Sequence, residues 1–155
     1  MTVVGSIGWI IPLQIGAYLG YLTFGFIADL FGRRRTFILF MVAAAIIVPI
    51  YGQMARSPLV LMLLGPLFGY VAHGYFSMFG GFIAELFPTA IRGTAQGTAY
   101  NAGRLAGALA PFVIGALAGI PIVGIGLALA STSAFFLAAA LLILALPDRA
   151  GQPLD

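Results

Sequence analysis

Long apolar runs fill this chain and give way to polar or charged residues at only a few points. The runs cover about 4–28, 36–54, 58–86, 93–119 and 121–146, each near the roughly 20 residues that an α-helix needs to cross a hydrocarbon core about 30 Å thick. They are rich in Ala, Leu, Ile and Gly and lack the period-2 alternation of barrel strands, so they predict helices. The expected fold is an all-α membrane protein with five transmembrane helices. Residues 1–147 form one helical domain and 148–155 a short tail.

Projecting each run at 100° per residue separates two kinds of span. In the first, Gln14, Tyr18, Tyr21 and Gly25 share a stripe, while Gly16, Gly20, Thr23 and Ile27 lie opposite. Gly16 and Gly20 form a small-xxx-small pair that lets another helix approach closely. The third span carries Pro66, Tyr70, His73, Ser77 and Gly81 on one stripe, and is long enough to tilt or to kink at Pro66. The fourth carries Gly93, Gly97, Asn101, Arg104, Ala108 and Pro111, with Tyr100 at the edge. The second and fifth spans hold no ionisable residue and only weak hydroxyls such as Ser131, Thr132 and Ser133, so those two can face lipid.

Composition sharpens this picture. At 155 residues, 62% hydrophobic and 7% charged, a soluble globule would have more apolar surface than it can hide. The net charge of +3 comes without any lysine, and the arginines sit in connections and one helix, so the charge does not mark a nucleic-acid partner. Arg33, Arg34, Arg35, Arg92 and Arg149 fall on connections of one parity and Arg56 on the other, which places the first set in the cytoplasm, the amino terminus outside and the carboxy terminus inside. With no cysteine, the chain has no disulfide, thiolate metal site or Cys nucleophile. A single His, no Lys and no mid-span acid also give no catalytic arrangement and no metal cluster, so neither an enzyme nor a cofactor is expected. The first run lacks a basic n-region and is too long for a signal-peptide core, so it is expected to be retained.

Three of the seven cations and one of the four acids lie in the stretch from Gly25 to Arg35. Gly25, Asp29, Gly32, Arg33 and Arg34 stand at the spacing of the short cytoplasmic loop of major facilitator superfamily transporters, which this segment resembles; Leu30 stands where that pattern usually has a cation. The stretch from Ala84 through Glu85 and Arg92 to Thr94, followed by Tyr100, Asn101, Arg104, Gly107 and Pro111, resembles the tenth-to-eleventh helix region of sugar porters and their organic-acid and sialate symporter relatives. The resemblances cover residues 14–111. They imply that the five spans are helices eight to twelve, a partial carboxy-terminal six-helix half of the fold, with spans one, three and four lining the transport path and two and five at the periphery.

On that footing Gln14, Tyr18, Tyr70, His73, Ser77, Asn101 and Arg104 are expected to line one aqueous substrate cleft. Arg104 lies about eleven residues, or roughly 16 Å, inside its span. A cation so deep costs about 2.5 to 3.5 kcal/mol on insertion scales and is expected to have a partner. It reads either as an anion contact or gate element, or as a snorkelling link to Glu85 or to neighbouring carbonyls. His73 reads either as a proton carrier or as a neutral hydrogen-bonded residue. Gly25, Asp29, Gly32, Arg33, Arg34, Glu85 and Arg92 form a cytoplasmic charge network, with Glu85 and Arg92 as a conformational latch or a static headgroup anchor.

The expected function is secondary active transport of a small polar solute, a sugar or an organic acid. The chain acts as the carboxy-terminal part of a transporter in the plasma (inner) membrane, with a missing amino-terminal half as partner. If the whole is a proton symporter, its coupling acid is expected in that half. Five helices cannot rock about a central site by themselves, so the chain reads as a fragment or as a short product that pairs with another polypeptide. The alternative class is a small self-assembling channel or accessory membrane subunit.

Overall fold

The computed structural model describes residues 3–54 and 57–146. Among them seven helices follow one another: α1 (Val3–Phe31), α2 (Arg33–Gln53), α3 (Pro58–His73), α4 (Phe76–Leu86), α5 (Arg92–Ala118), α6 (Gly124–Ala130) and α7 (Ser133–Ala145). α3 with α4, and α6 with α7, are single crossings interrupted midway. Five segments are therefore long and apolar enough to cross a membrane: Gly8–Phe31, Arg33–Gln53, Pro58–Leu86, Arg92–Ala118 and Gly124–Ala145. Every regular element among the described residues is helical, as hydrocarbon demands of a backbone that has no water to bond. The tail expected at 148–155, with Arg149, and the connection at Arg56 lie outside the described residues.

The closest packing is between α1 and α3, and glycine makes it. A Cβ on Gly16 would run into the Pro66 carbonyl, and one on Gly69 into the Leu13 carbonyl. A Cβ on Gly20 would lie 2.6 Å from the Tyr70 carbonyl oxygen and 2.9 Å from Gly74 Cα. The two backbones touch, as the Gly16 and Gly20 spacing predicts. Where apolar burial gives no advantage over lipid, such van der Waals contact is what holds helices together.

The second packing centre is aromatic. Phe24 of α1 meets Phe37 and Phe40 of α2 edge-on, with ring centroids 4.9 and 4.8 Å apart, and Phe37 continues to Phe82 of α4 at 4.9 Å. Ala28, Met41 and Ala140 of α7 close the cluster. Gly32, at φ 89°, turns the chain from α1 into α2 in the left-handed region, a conformation that explains glycine at this point of the loop. The buried Thr36 hydroxyl lies 3.0 Å from the Gly32 carbonyl and fixes that turn.

The structure refines three of these expectations. α2 is not mainly a lipid-facing helix: it packs on α1, α3, α6 and α7, and Thr36, Phe37, Phe40, Met41, Ala44, Ala45, Val48 and Gly52 are buried. The absence of charged residues from Thr36 to Gln53 goes with enclosure by other helices on one side, while Leu39, Val42, Ile46 and Ile50 are exposed on the other. The third span runs on through Pro66, which lies inside α3. The break is at Gly74–Tyr75, where the N–H groups of Ser77 and Met78 turn to the Gly74 and Tyr75 carbonyls three residues back. There Gly74 is wedged between Gly20 and the Phe40 ring. The fifth span starts at Gly124, beyond the turns that follow Pro121, and is interrupted at Ser131–Thr132. The hydroxyls of those two residues bond back to the Ala128 and Leu129 carbonyls at 2.7 Å.

Gly69→Ala should destabilise the folded protein by about 2 kcal/mol or more, because the new methyl meets a backbone carbonyl that cannot move alone. Gly81→Ala, where nothing lies within 4 Å, should stay within about 0.5 kcal/mol of the parent. Reversible unfolding in mixed detergent micelles measures both.

Candidate functional site

The small face of α1 is consumed by α3, which leaves its polar stripe turned away from the packing. Gln14 is exposed, Tyr18 is 62% and Tyr21 41% exposed, and Gly25 is half-buried. The residues expected from the third span are divided between two environments. Tyr70 belongs to the helix contact: its hydroxyl lies 2.8 Å from Thr23 Oγ1, which is itself 2.8 Å from the Leu19 carbonyl oxygen, and its ring leans on Phe40 at 5.4 Å. His73 is half-buried with its ring edge-on to Phe68 at 6.2 Å. Ser77 is exposed and donates to the Gly74 carbonyl at 3.0 Å across the break in the span.

α5 stands apart from the rest. None of its residues is buried, and its main neighbours are α4 and α6. Asn101 donates to the Gly97 carbonyl at 2.8 Å along its own helix, and the Arg104 guanidinium sits over the Tyr100 ring, 5.7 Å from its centroid. An open groove of about 540 Å³ runs along this helix, lined by Thr94, Gly97, Thr98, Asn101, Ala102 and Leu105. Gln14 and Tyr18 thus present one polar face and Asn101 and Arg104 another. α1 packs on α2, α3 and α4 while α5 packs on α4 and α6, so the two helices are joined through α4.

The charged residues gather at one end of the bundle, where α1 and α4 finish and α2 and α5 begin. Arg33 forms an ion pair with Glu85, joining α2 to α4. Arg34 donates from Nη2 to the Leu144 carbonyl, capping the free end of α7. Arg92 does not pair with Glu85. Its Nε donates to the Ala84 carbonyl at 3.0 Å and fastens α5 to the end of α4. Arg92 opens α5, and from there its side chain reaches back to a carbonyl of the last turn of α4, while Glu85 is taken by Arg33. Asp29 and Arg35 are exposed on either side of Gly32.

Several polar contacts have no counterpart in the sequence patterns, and two of them tie helices together at or near the charged end. Gln96 donates to the Gly80 carbonyl at 2.7 Å, a second tie between α5 and α4. Its signal was its place four residues after Arg92, on the same face of the helix. The Arg34 contact with Leu144 had no signal, because a backbone carbonyl leaves no mark in a sequence.

The family model of the Major Facilitator Superfamily matches residues 2–154. Among individual proteins, the chain is 39% identical over 117 residues to a cis,cis-muconate transport protein of Acinetobacter baylyi, covering 73% of this chain and 28% of that protein. It is 36% identical over 105 residues to a probable 4-methylmuconolactone transporter of Cupriavidus pinatubonensis, covering 68% and 24%. It is 34% identical over 109 residues to a putative metabolite transport protein of Haemophilus influenzae, covering 70% and 26%. The chain spans about a quarter of the length of these curated relatives. No solved structure matches it.

The ion pair predicts a double-mutant cycle. Glu85→Gln and Arg33→Gln should each lower stability and share a coupling of about 1 kcal/mol, as expected for a partly exposed pair. Glu85→Gln combined with Arg92→Gln should be additive, because Arg92 holds a carbonyl instead.

Proposed function

The chain belongs to the Major Facilitator Superfamily, and on that premise we propose that it is part of a transporter that moves a small organic acid across the plasma (inner) membrane. The observation that carries this reading is the pair of polar faces, Gln14 with Tyr18 and Asn101 with Arg104, left outside the helix packing of a chain otherwise built to meet lipid. Polar and cationic groups at membrane depth are costly unless they face protein or a water-filled path. Tyr18, Tyr100, Asn101 and Arg104 are then wall residues of a midplane site, with His73 and Ser77 near the break in the third span. Tyr70 braces that wall through Thr23. The printed cargoes of two relatives, a muconate and a methylmuconolactone, favour an organic acid over a sugar.

The rest of the transport path comes from a second helical half, the amino-terminal portion of the transporter, against which the α1 and α5 faces close and open. Asp29, Gly32, Arg33, Arg34, Glu85 and Arg92 sit on the cytoplasmic side and hold one state of that cycle. The bulk of the arginines lies at this end, which supports an amino terminus outside and a carboxy terminus in the cytoplasm.

Proteoliposomes holding the transporter that contains this chain should accumulate labelled cis,cis-muconate, with glucose failing to compete. Uptake in which glucose competes as well as muconate does would remove the organic-acid assignment. Orientation is read separately, in a transporter background from which any other cysteines have been removed. A membrane-impermeant thiol reagent added outside intact cells should label Ser57→Cys and not Thr89→Cys; the opposite pattern would invert the topology.

A further inference from the structure

Resting on the transport reading above, we infer that Arg104 is the contact for a substrate carboxylate, that Tyr100 orients its guanidinium, and that the groove beside it on α5 receives the uncharged remainder of the molecule. Charge balance leads to this assignment. Arg104 follows Arg92 by three turns of helix, about 18 Å along the axis. The carboxylates among the described residues are Asp29 and Glu85, both at the charged end, and Glu85 is taken by Arg33. A mid-span cation with no acid in reach needs a counter-charge when the path around it closes. The Tyr100 face attracts the guanidinium at 5.7 Å and holds its plane, but a neutral ring leaves the positive charge uncompensated.

The surroundings suit a small anion with a flat, mostly apolar body. The groove, about 540 Å³, is open along one face of α5 and is closed over by the second helical half in the transport reading. Thr94, Thr98 and Asn101 give it polar points, and Ala102 and Leu105 an apolar floor. Asn101 lies three residues before Arg104, on the same side of the helix, and joins the guanidinium to the groove. Its amide NH₂ donates to the Gly97 carbonyl, which fixes the side chain along the helix. Arginine suits the task better than lysine, because its planar fork meets both oxygens of a carboxylate at once.

The test compares binding of cis,cis-muconate with binding of the same skeleton bearing two amides in place of its carboxylates, using the whole transporter in nanodiscs. The parent should prefer the acid, and Arg104→Gln should weaken acid binding on the order of 10- to 100-fold while leaving amide binding unchanged. Arg104→Lys should fall between the two. Tyr100→Leu should weaken acid binding severalfold, again without touching the amide. Loss of the charge eases membrane insertion, so a selective defect in Arg104→Gln is not a failure to fold. If Arg104→Gln weakens acid and amide equally, or changes neither while the parent still takes up muconate, Arg104 serves packing or pairs with an acid of the other half, and the inference falls with the transport reading intact. A parent that takes up no organic acid at all removes the transport reading instead.

Discussion

The backbone contact between α1 and α3 sets the arrangement of the remaining helices. In lipid there is no hydrophobic force to bring apolar helices together, so the pair with the smallest side chains at the right spacing packs first and closest. Gly16 and Gly20 on one side, and Gly65, Gly69 and Gly74 on the other, supply that pair. Once their faces are spent on each other, the rotation of α1 about its axis is fixed. Phe24 and Ala28 turn toward α2, and Gln14, Tyr18 and Tyr21 turn outward. A polar stripe is thus displayed because a small stripe is buried.

α2 takes the place at the centre that composition alone would not assign to it. Its aromatic residues meet α1 and α4, Gly52 lies against Gly126 and Leu129 of α6, and Ala140 of α7 packs into the same aromatic cluster. The charged end then finishes the assembly, with Arg33 tying α2 to α4, Arg34 tying α2 to α7 and Arg92 tying α5 to α4. Two of these three ties use a backbone carbonyl at a helix terminus as acceptor. A guanidinium there satisfies a group that has no intrahelical partner and that lipid could not satisfy either.

Five apolar crossings and the glycine face of α1 were legible in the sequence, since hydropathy and the 100° period are direct projections of the physics. The pairing of Glu85 was not, because choosing between Arg33 and Arg92 requires knowing which acceptor lies nearer to each cation. The break at Gly74–Tyr75 was hidden for a similar reason. Pro66 is the stronger local breaker, yet α3 runs through it while pressed against Gly16, and the span breaks where Phe40 and Gly20 crowd Gly74. The polar stripes of spans three and four were visible as stripes. The sequence did not show that part of the former, at Tyr70, is absorbed into the α1 contact while α5 keeps its whole stripe free.

Reactivity of introduced cysteines toward a small hydrophilic thiol reagent tests most directly whether the polar faces of α1 and α5 line water. In the intact transporter, cysteines at Tyr18 and Asn101 should react readily and be shielded by saturating cis,cis-muconate, while cysteines at Leu39 and Leu141, exposed on other faces, should stay inert in lipid. Equal inertness at all four positions would mean that the α1 and α5 faces contact hydrocarbon or another helix, and would contradict a shared aqueous path between them.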